Sequence, residues 1–449
     1  MNILVINGSP AGDDSITLQT VRYLQKRFPG HNWAQLNIAP KLKALERDFS
    51  EAREMLEKAE LLLFAYPVYT FLAPAQLHRF IALVKDSGAD LRGKYATQLS
   101  TSKHFYDVTA HEYIRLNCAD LGLKYLRGLS ADMEDLLTEK GQAEARAFFR
   151  RILWAMEQGI DETLPAPAGA PFIPVPATLP PQEAARDNPK EVVVVADMGP
   201  EDAALAAMAE RFRRVCPSPT RLVNIRDFAF AGGCLGCFRC AASGQCFYKD
   251  GFDKLLREDI QGADATVYAF SIRDHSMGCQ FKFYDDRQFC NGHRTVTMGK
   301  PVGYLVDGPL SQEPNVRMLL EARAQVGGNH LSWVAGNEGD TDAEIDRLAL
   351  ELDYDLRTDY REAANFYGVG GMKIFRDLIY TMQGLMREDH RFYKKHGFYK
   401  DFPQRRRGKI AAMYLVGGLM NSPRLSKKLG SNMTKGMLMP YRKVLDKKE

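Results

Sequence analysis

A chain of 449 residues exceeds what one hydrophobic core ordinarily holds, and at roughly 150 residues per domain two or three domains are expected. With 45% hydrophobic and 26% charged residues the composition is that of a soluble globular protein, and a net charge of +4 points to no class of partner. The opening MNILVINGSP lacks a basic stretch, a long apolar stretch and a cleavage site. The most apolar run, Ile410 to Asn421, falls short of the roughly 18 residues of a membrane span. A cytoplasmic protein without a transmembrane segment is therefore expected, with its eight cysteines reduced, metal-binding or catalytic rather than bridged.

In chain order, Asn2–Gly8 reads as a buried strand, Thr17–Phe28 as a helix, and Glu60–Tyr66 and Lys94–Ser102 as further strands. Residues 162–190 hold eight of the 22 prolines and read as a semi-rigid linker. Beyond it Glu191–Asp197, Arg221–Ile225, Ala263–Ser271, Lys300–Gly308 and Leu331–Gly336 repeat the strand order. The expectation is α/β: two tandem doubly wound parallel sheets, residues 1–161 and 191–365, followed by a helical extension, 366–449. Such sheets place ligands at the carboxyl ends of their strands, so the following loops are where chemistry is sought.

The first such loop is GSPAGDDSITLQT, Gly8 to Thr20. A glycine and hydroxyl-rich turn entering a helix supplies backbone N–H groups and a favourable dipole for an anion, and Ser9, Ser15 and Thr17 add hydroxyl donors. An ordinary N-capped helix reads equally well from these residues alone. The second loop, after Pro67, is Val68, Tyr69, Thr70 and Phe71, which offers a planar ring a stacking surface and backbone donors. Here the first half resembles the flavodoxin-like NAD(P)H-dependent FMN reductase family, and the resemblance implies a flavodoxin-like fold for both halves. It implies FMN with Ser9, Ser15 and Thr17 at the phosphate and Pro67, Val68, Tyr69 and Thr70 at the ring. A third family loop falls on Thr101, Ser102, Lys103 and His104, and NAD(P)H becomes a candidate co-substrate. Ala11, where the family often has Arg, and the acids Asp13 and Asp14 depart from the pattern.

The equivalent turn of the second half, Ala196 to Ala206, has no Ser or Thr and carries Asp197, Glu201 and Asp202, so a second FMN bound alike is not expected. Instead this half carries CLGCFRCAASGQC, with Cys234, Cys237, Cys240 and Cys246 spaced C-x2-C-x2-C-x5-C. Compact ligation by four thiolates suits an iron–sulfur cluster, structural zinc more often uses two separated pairs, and thiols without metal are the third reading. The motif is similar to that of the iron–sulfur flavoproteins, which implies a 4Fe-4S cluster beside FMN. In single-domain relatives the cluster of one subunit approaches the flavin of another, so this chain looks like such a pair fused. Cys279, Cys290, Cys118 and Cys216 read as core residues.

Residues 366–449 carry 11 Lys and 8 Arg against 6 acids. Two readings stand: a helical appendage packed on the acidic halves, or a cover over the flavin. No nucleic-acid-reading module accompanies the charge, so nucleic acid is not an expected partner. The expected function is an FMN-dependent oxidoreductase passing electrons between FMN and the cluster, its partner a small-molecule or protein electron donor or acceptor such as ferredoxin, with a homo-oligomer a further candidate. A cluster-free NAD(P)H-dependent FMN or quinone reductase and a zinc-stabilised interaction protein are the alternatives. No catalytic acid or base stands out beyond Tyr69 and His104 as candidates.

Overall fold

The computed structural model describes residues 1–163 and 171–420; residues 164–170 of the proline-rich stretch and the basic residues 421–449 lie outside that description. In the first half, β1 (Asn2–Asn7), β2 (Asn32–Asn37), β3 (Leu61–Pro67), β4 (Tyr95–Ser102) and the short β5 (Lys124–Tyr125) form a parallel sheet in the order β2-β1-β3-β4-β5, with β6 (Leu129–Asp132) also beside β4. In the second half β7 (Val192–Ala196), β8 (Thr220–Asn224), β9 (Ala265–Ser271), β10 (Pro301–Asp307) and β11 (His330–Gly336) run β8-β7-β9-β10-β11. Both are the 2-1-3-4-5 order of flavodoxin-like sheets, whose switch point lies between the first and third strands.

The central strands form because runs such as NILVIN and VVVVA are apolar on both faces, as a parallel sheet covered by helices on two sides demands. The covering helices of the first half are α1 (Ile16–Arg27), α2 (Ile38–Arg47), α3 (Ser50–Lys58), α4 (Ala75–Asp86), α5 (Asp107–Asp120) and α6 (Glu139–Glu157). Those of the second are α7 (Ala203–Val215), the short α8 (Arg239–Ser243) and α9 (Phe252–Lys254), α10 (Gly278–Arg287), α11 (Pro314–Gly327) and α12 (Thr341–Thr358).

One apolar core runs from Leu4, Ile6 and Leu77 of the first half to Phe270, Phe281 and Tyr284 of the second, and α4 packs on α10. The chain from Met1 to His390 is accordingly one compact unit. The proline-rich stretch is pinned where it is described. Val175 N donates to Asn337 O at 2.9 Å, Arg186 reaches the carbonyls of Cys216 and Ser218, and Asn188 Nδ2 bonds Asp353 at 2.8 Å.

The halves are also locked by charge. His275 bonds Asp120 of α5 through Nε2 at 3.0 Å and Glu313 through Nδ1 at 2.8 Å, while Lys85 bridges Asp120 and Asp274. Burial pulls the imidazole down, but the two carboxylates outweigh it and lift its pKa to about 9. Because the folded value is the higher one, the stabilisation is complete below the unfolded pKa near 6.5 and is lost as pH rises through about 9. The shift corresponds to about 3 kcal/mol. His275→Gln should therefore flatten the fall in urea midpoint between these pH values; a slope identical to wild type would contradict the assignment.

α13 (Phe366–Thr381) packs along α11, with the Phe375 ring tilted 35° against Phe105 at 4.2 Å and Tyr106 Oη donating to Tyr367 O at 2.8 Å. α14 spans Arg387–Lys395 and α15 Arg407–Met420. From Arg391 the described residues belong to a second unit, in which Tyr393 meets Phe398 edge-on at 4.9 Å and Tyr399 stacks on Phe402. No helix among the described residues is long and apolar enough to cross a membrane.

Candidate active site

Ser15 ends the turn after β1 and caps α1, its Oγ accepting from Leu18 N at 3.3 Å, which leaves its own hydrogen free to donate elsewhere. Ser9 Oγ accepts from Ala11 N at 3.3 Å, and the Thr17 and Thr101 hydroxyls bond one another across the end of the sheet. Ser9, Ser15, Thr17, Thr101 and Ser102 are all buried, yet all border one cavity of about 340 Å3. Asp13 turns aside to Gln35 and Arg22, and the bond from Gln35 holds its carboxyl below the usual range; Asp14 remains on the cavity wall.

Pro67, Val68, Tyr69 and Thr70 line the same cavity. Their loop is fixed by Val68 N donating to Thr101 O at 3.1 Å and by reciprocal bonds between Tyr69 and Leu72 at 2.8 and 3.0 Å. Thr70 and Phe71 both take positive φ, 41° and 72°, a conformation that side chains resist unless their surroundings hold them there. Burial pushes the Tyr69 phenol far up, with the Cys234 thiol and Asp286 adding to it, so this hydroxyl stays protonated. His104 is not in the wall: its Nδ1 bonds Asp107 at 2.9 Å and half of its side chain is exposed, whereas its neighbours Lys103 and Phe105 do face the cavity.

The opposite wall is the thiol loop of the second half. Cys234, Cys237, Cys240 and Cys246 all border the cavity, joined by Cys290. The loop sits against Tyr69 because residue 236 is glycine: at φ +63°, a Cβ there would lie 1.9 Å from Tyr69 Oη. Cys234 Sγ accepts from Gly236 N at 3.5 Å, and Cys237 is exposed at the lip. Burial pushes the Cys240 thiol up to about 11, with Asp389 and Cys237 adding to it, and pushes Cys234 higher still. Thiols with raised pKa are not activated nucleophiles, whereas a bound metal would deprotonate them.

No group of three or more Cys, His, Asp or Glu is gathered at single-ion distance among the described residues. A tetrahedral zinc site holds its sulfurs about 2.3 Å from the metal, around one point. The four cysteines border the cavity without forming such a group. The buried hydroxyls, the ring loop and a cavity within the usual size range of cofactor pockets suit FMN.

The matching place in the second half is filled by protein. Arg226 occupies the turn after β7, donating to Asp197 at 2.6 Å, Glu201 at 2.6 Å and Asp202 at 3.0 Å, and Arg273 reaches Asp202 at 2.6 Å. A Cβ at Gly199 would lie 2.0 Å from the Arg226 guanidinium. Three carboxylates around a guanidinium invert the polarity that a phosphate needs.

Sequence reasoning missed Phe289, Cys290, His293, Phe375 and Leu378, which complete the wall. His293 Nδ1 bonds Asp389 at 3.0 Å, and the approach of that carboxylate requires glycine at 292, where a Cβ would lie 2.3 Å from Asp389 Oδ1. The position of Cys290 and His293 after a third strand was a usable signal. Phe375 and Leu378 come from the extension, whose helix α13 contributes to the cavity wall.

Residues 1–131 match the family model of the NADPH-dependent FMN reductases. An iron–sulfur flavoprotein of Archaeoglobus fulgidus is 26% identical over 174 residues, 37% of this chain and 79% of the relative. Among solved structures, an FMN-dependent NADH-azoreductase from Bacillus anthracis, in complex with FMN, is 15% identical over 34% of this chain and 98% of its own, with a TM-score of 0.28. A flavodoxin, WrbA-like protein from Agrobacterium tumefaciens is 16% identical over 38% and 99%, with a TM-score of 0.27.

Proposed function

We propose that the chain is an FMN-dependent oxidoreductase in which one flavin, held by the first half, faces a 4Fe-4S cluster held by Cys234, Cys237, Cys240 and Cys246 of the second. The observation that carries this reading is the single cavity bordered by the Ser/Thr loop, the ring loop and all four cysteines. Bound FMN supplies exchange of electrons in pairs or singly, and a cluster supplies single-electron exchange, so together they connect a two-electron donor to a one-electron partner.

The chain's own residues bind and enclose. Ser9, Ser15 and Thr17 donate to the phosphate, Pro67 to Thr70 border the ring, Tyr69 offers a protonated hydroxyl, and Phe105, Phe289 and Phe375 keep water from the wall they share. NAD(P)H or ferredoxin is the donor or acceptor, and the setting is cytoplasmic. Homo-oligomerisation is compatible with a cavity already completed within one chain.

A cluster-free NAD(P)H-dependent FMN or quinone reductase is the second reading, favoured by a family match that ends before the thiol loop. Cys237→Ser decides between them. After anaerobic purification the variant should lose most of its iron while keeping its flavin; iron content equal to wild type would sink the ligand assignment.

A further inference from the structure

Helix α10 carries a run of fully buried charge, Lys282, Asp285, Asp286 and Arg287, of which Arg287 also borders the cavity on its thiol-loop side. Lys282 Nζ is satisfied on all sides: it donates to Tyr69 O at 2.9 Å, to Thr70 Oγ1 at 2.6 Å and to Asp286 Oδ1. Asp286 in turn accepts from Thr70 Oγ1 at 2.7 Å and, through Oδ2, from Ala75 N at 2.8 Å. Ala75 is the first residue of α4, and the residue before it is Pro74, which has no side chain able to cap a helix. The carboxylate of the second half therefore caps a helix of the first and, with Lys282, holds Thr70 in its left-handed conformation.

The next residue reaches the other loop. Arg287 donates to Gly232 O at 2.9 Å and to both oxygens of Asp250 at 2.9 and 2.7 Å, and Asp250 accepts from Ala231 N at 3.1 Å. These contacts close the two ends of the segment that contains the four cysteines, and the guanidinium also lies over Tyr248 and Phe252, at 4.5 and 4.9 Å. From behind, Asp285 ties α10 to Arg323 of α11.

We propose that α10 is a two-sided positioning element: Lys282 and Asp286 set the ring loop of the first half, Arg287 sets the thiol loop of the second, and the rigid helix between them fixes the spacing of the two redox centres. The ring-loop side rests on the FMN reading; the thiol-loop side does not. It also gives the second half a purpose in flavin binding, although its own phosphate site is filled by Arg226.

The test uses the full chain, with FMN affinity measured by fluorescence quenching and maleimide labelling followed cysteine by cysteine on the protein as isolated. Lys282→Met should raise the FMN Kd by about tenfold or more and leave labelling of Cys234 and Cys240 at the wild-type rate. Arg287→Met should speed that labelling by about tenfold and change the FMN Kd by less than about threefold. His275→Gln, which loosens the contact between the halves away from both loops, should change neither. Should Lys282→Met fail to fold, Thr70→Val removes only the hydroxyl and should still weaken FMN. A variant that leaves its own loop's readout unchanged overturns the proposal, as does a change in both readouts in all variants, His275→Gln included. A wild-type chain that takes up no FMN would contradict the cofactor reading and, with it, the ring-loop side alone; the labelling of Arg287→Met would still decide the other side.

Discussion

Replacing Ser15 by Ala and Thr17 by Val together is expected to weaken FMN binding by about a hundredfold, while riboflavin, which lacks the phosphate, loses less than about threefold. Both hydroxyls are buried and both border the cavity. A hydrogen bond to a charged group contributes about 1.5–3 kcal/mol, and each 1.4 kcal/mol is tenfold in affinity, so two such bonds at the lower end of that range give about two orders of magnitude. Ser15 also caps α1, so a loss of about 1 kcal/mol of stability accompanies the change and is read separately from a urea melt. Equal losses for FMN and riboflavin would place the phosphate elsewhere.

Asp285→Ala is expected to be the most destabilising single change, by about 3–5 kcal/mol. Asp285 is fully buried, accepts from both terminal guanidinium nitrogens of Arg323 and lies 3.6 Å from Lys282 Nζ. Its removal leaves a buried cation without its partner, which costs more than the pair contributes. Adding Arg323→Leu should restore part of the lost urea midpoint by removing the stranded charge. A single variant as stable as wild type, or a double variant worse than the single, would show that water reaches this cluster.

The fold was legible because its strongest signals are local. NILVIN, LLLFAYP and VVVVA are apolar on both faces and could only be buried parallel strands, and the repeated strand order implied the tandem sheets. The edge strand β2, NWAQLN, is half-exposed and polar, and it escaped notice for that reason. At the site, the hydroxyl loop, the ring loop and the four cysteines were visible as motifs, but their meeting at one cavity depends on the packing of α4 against α10, which no spacing encodes. The absence of Ser and Thr from the second turn was readable, whereas the residue that fills it, Arg226, lies 29 positions from Asp197 in the chain. His104 looked like a site residue because the family loop falls on it; in the structure its backbone turns at φ +56° and sends the ring to Asp107.

Cofactor stoichiometry tests most directly whether one flavin faces one cluster in each chain. Anaerobically purified chain, analysed for flavin, iron, sulfide and zinc alongside its absorption spectrum, should contain about one FMN and about four iron and four sulfide per chain, with a broad shoulder that dithionite bleaches. Two FMN per chain would contradict the filled phosphate site of the second half, and FMN without iron or sulfide would contradict the proposed cluster.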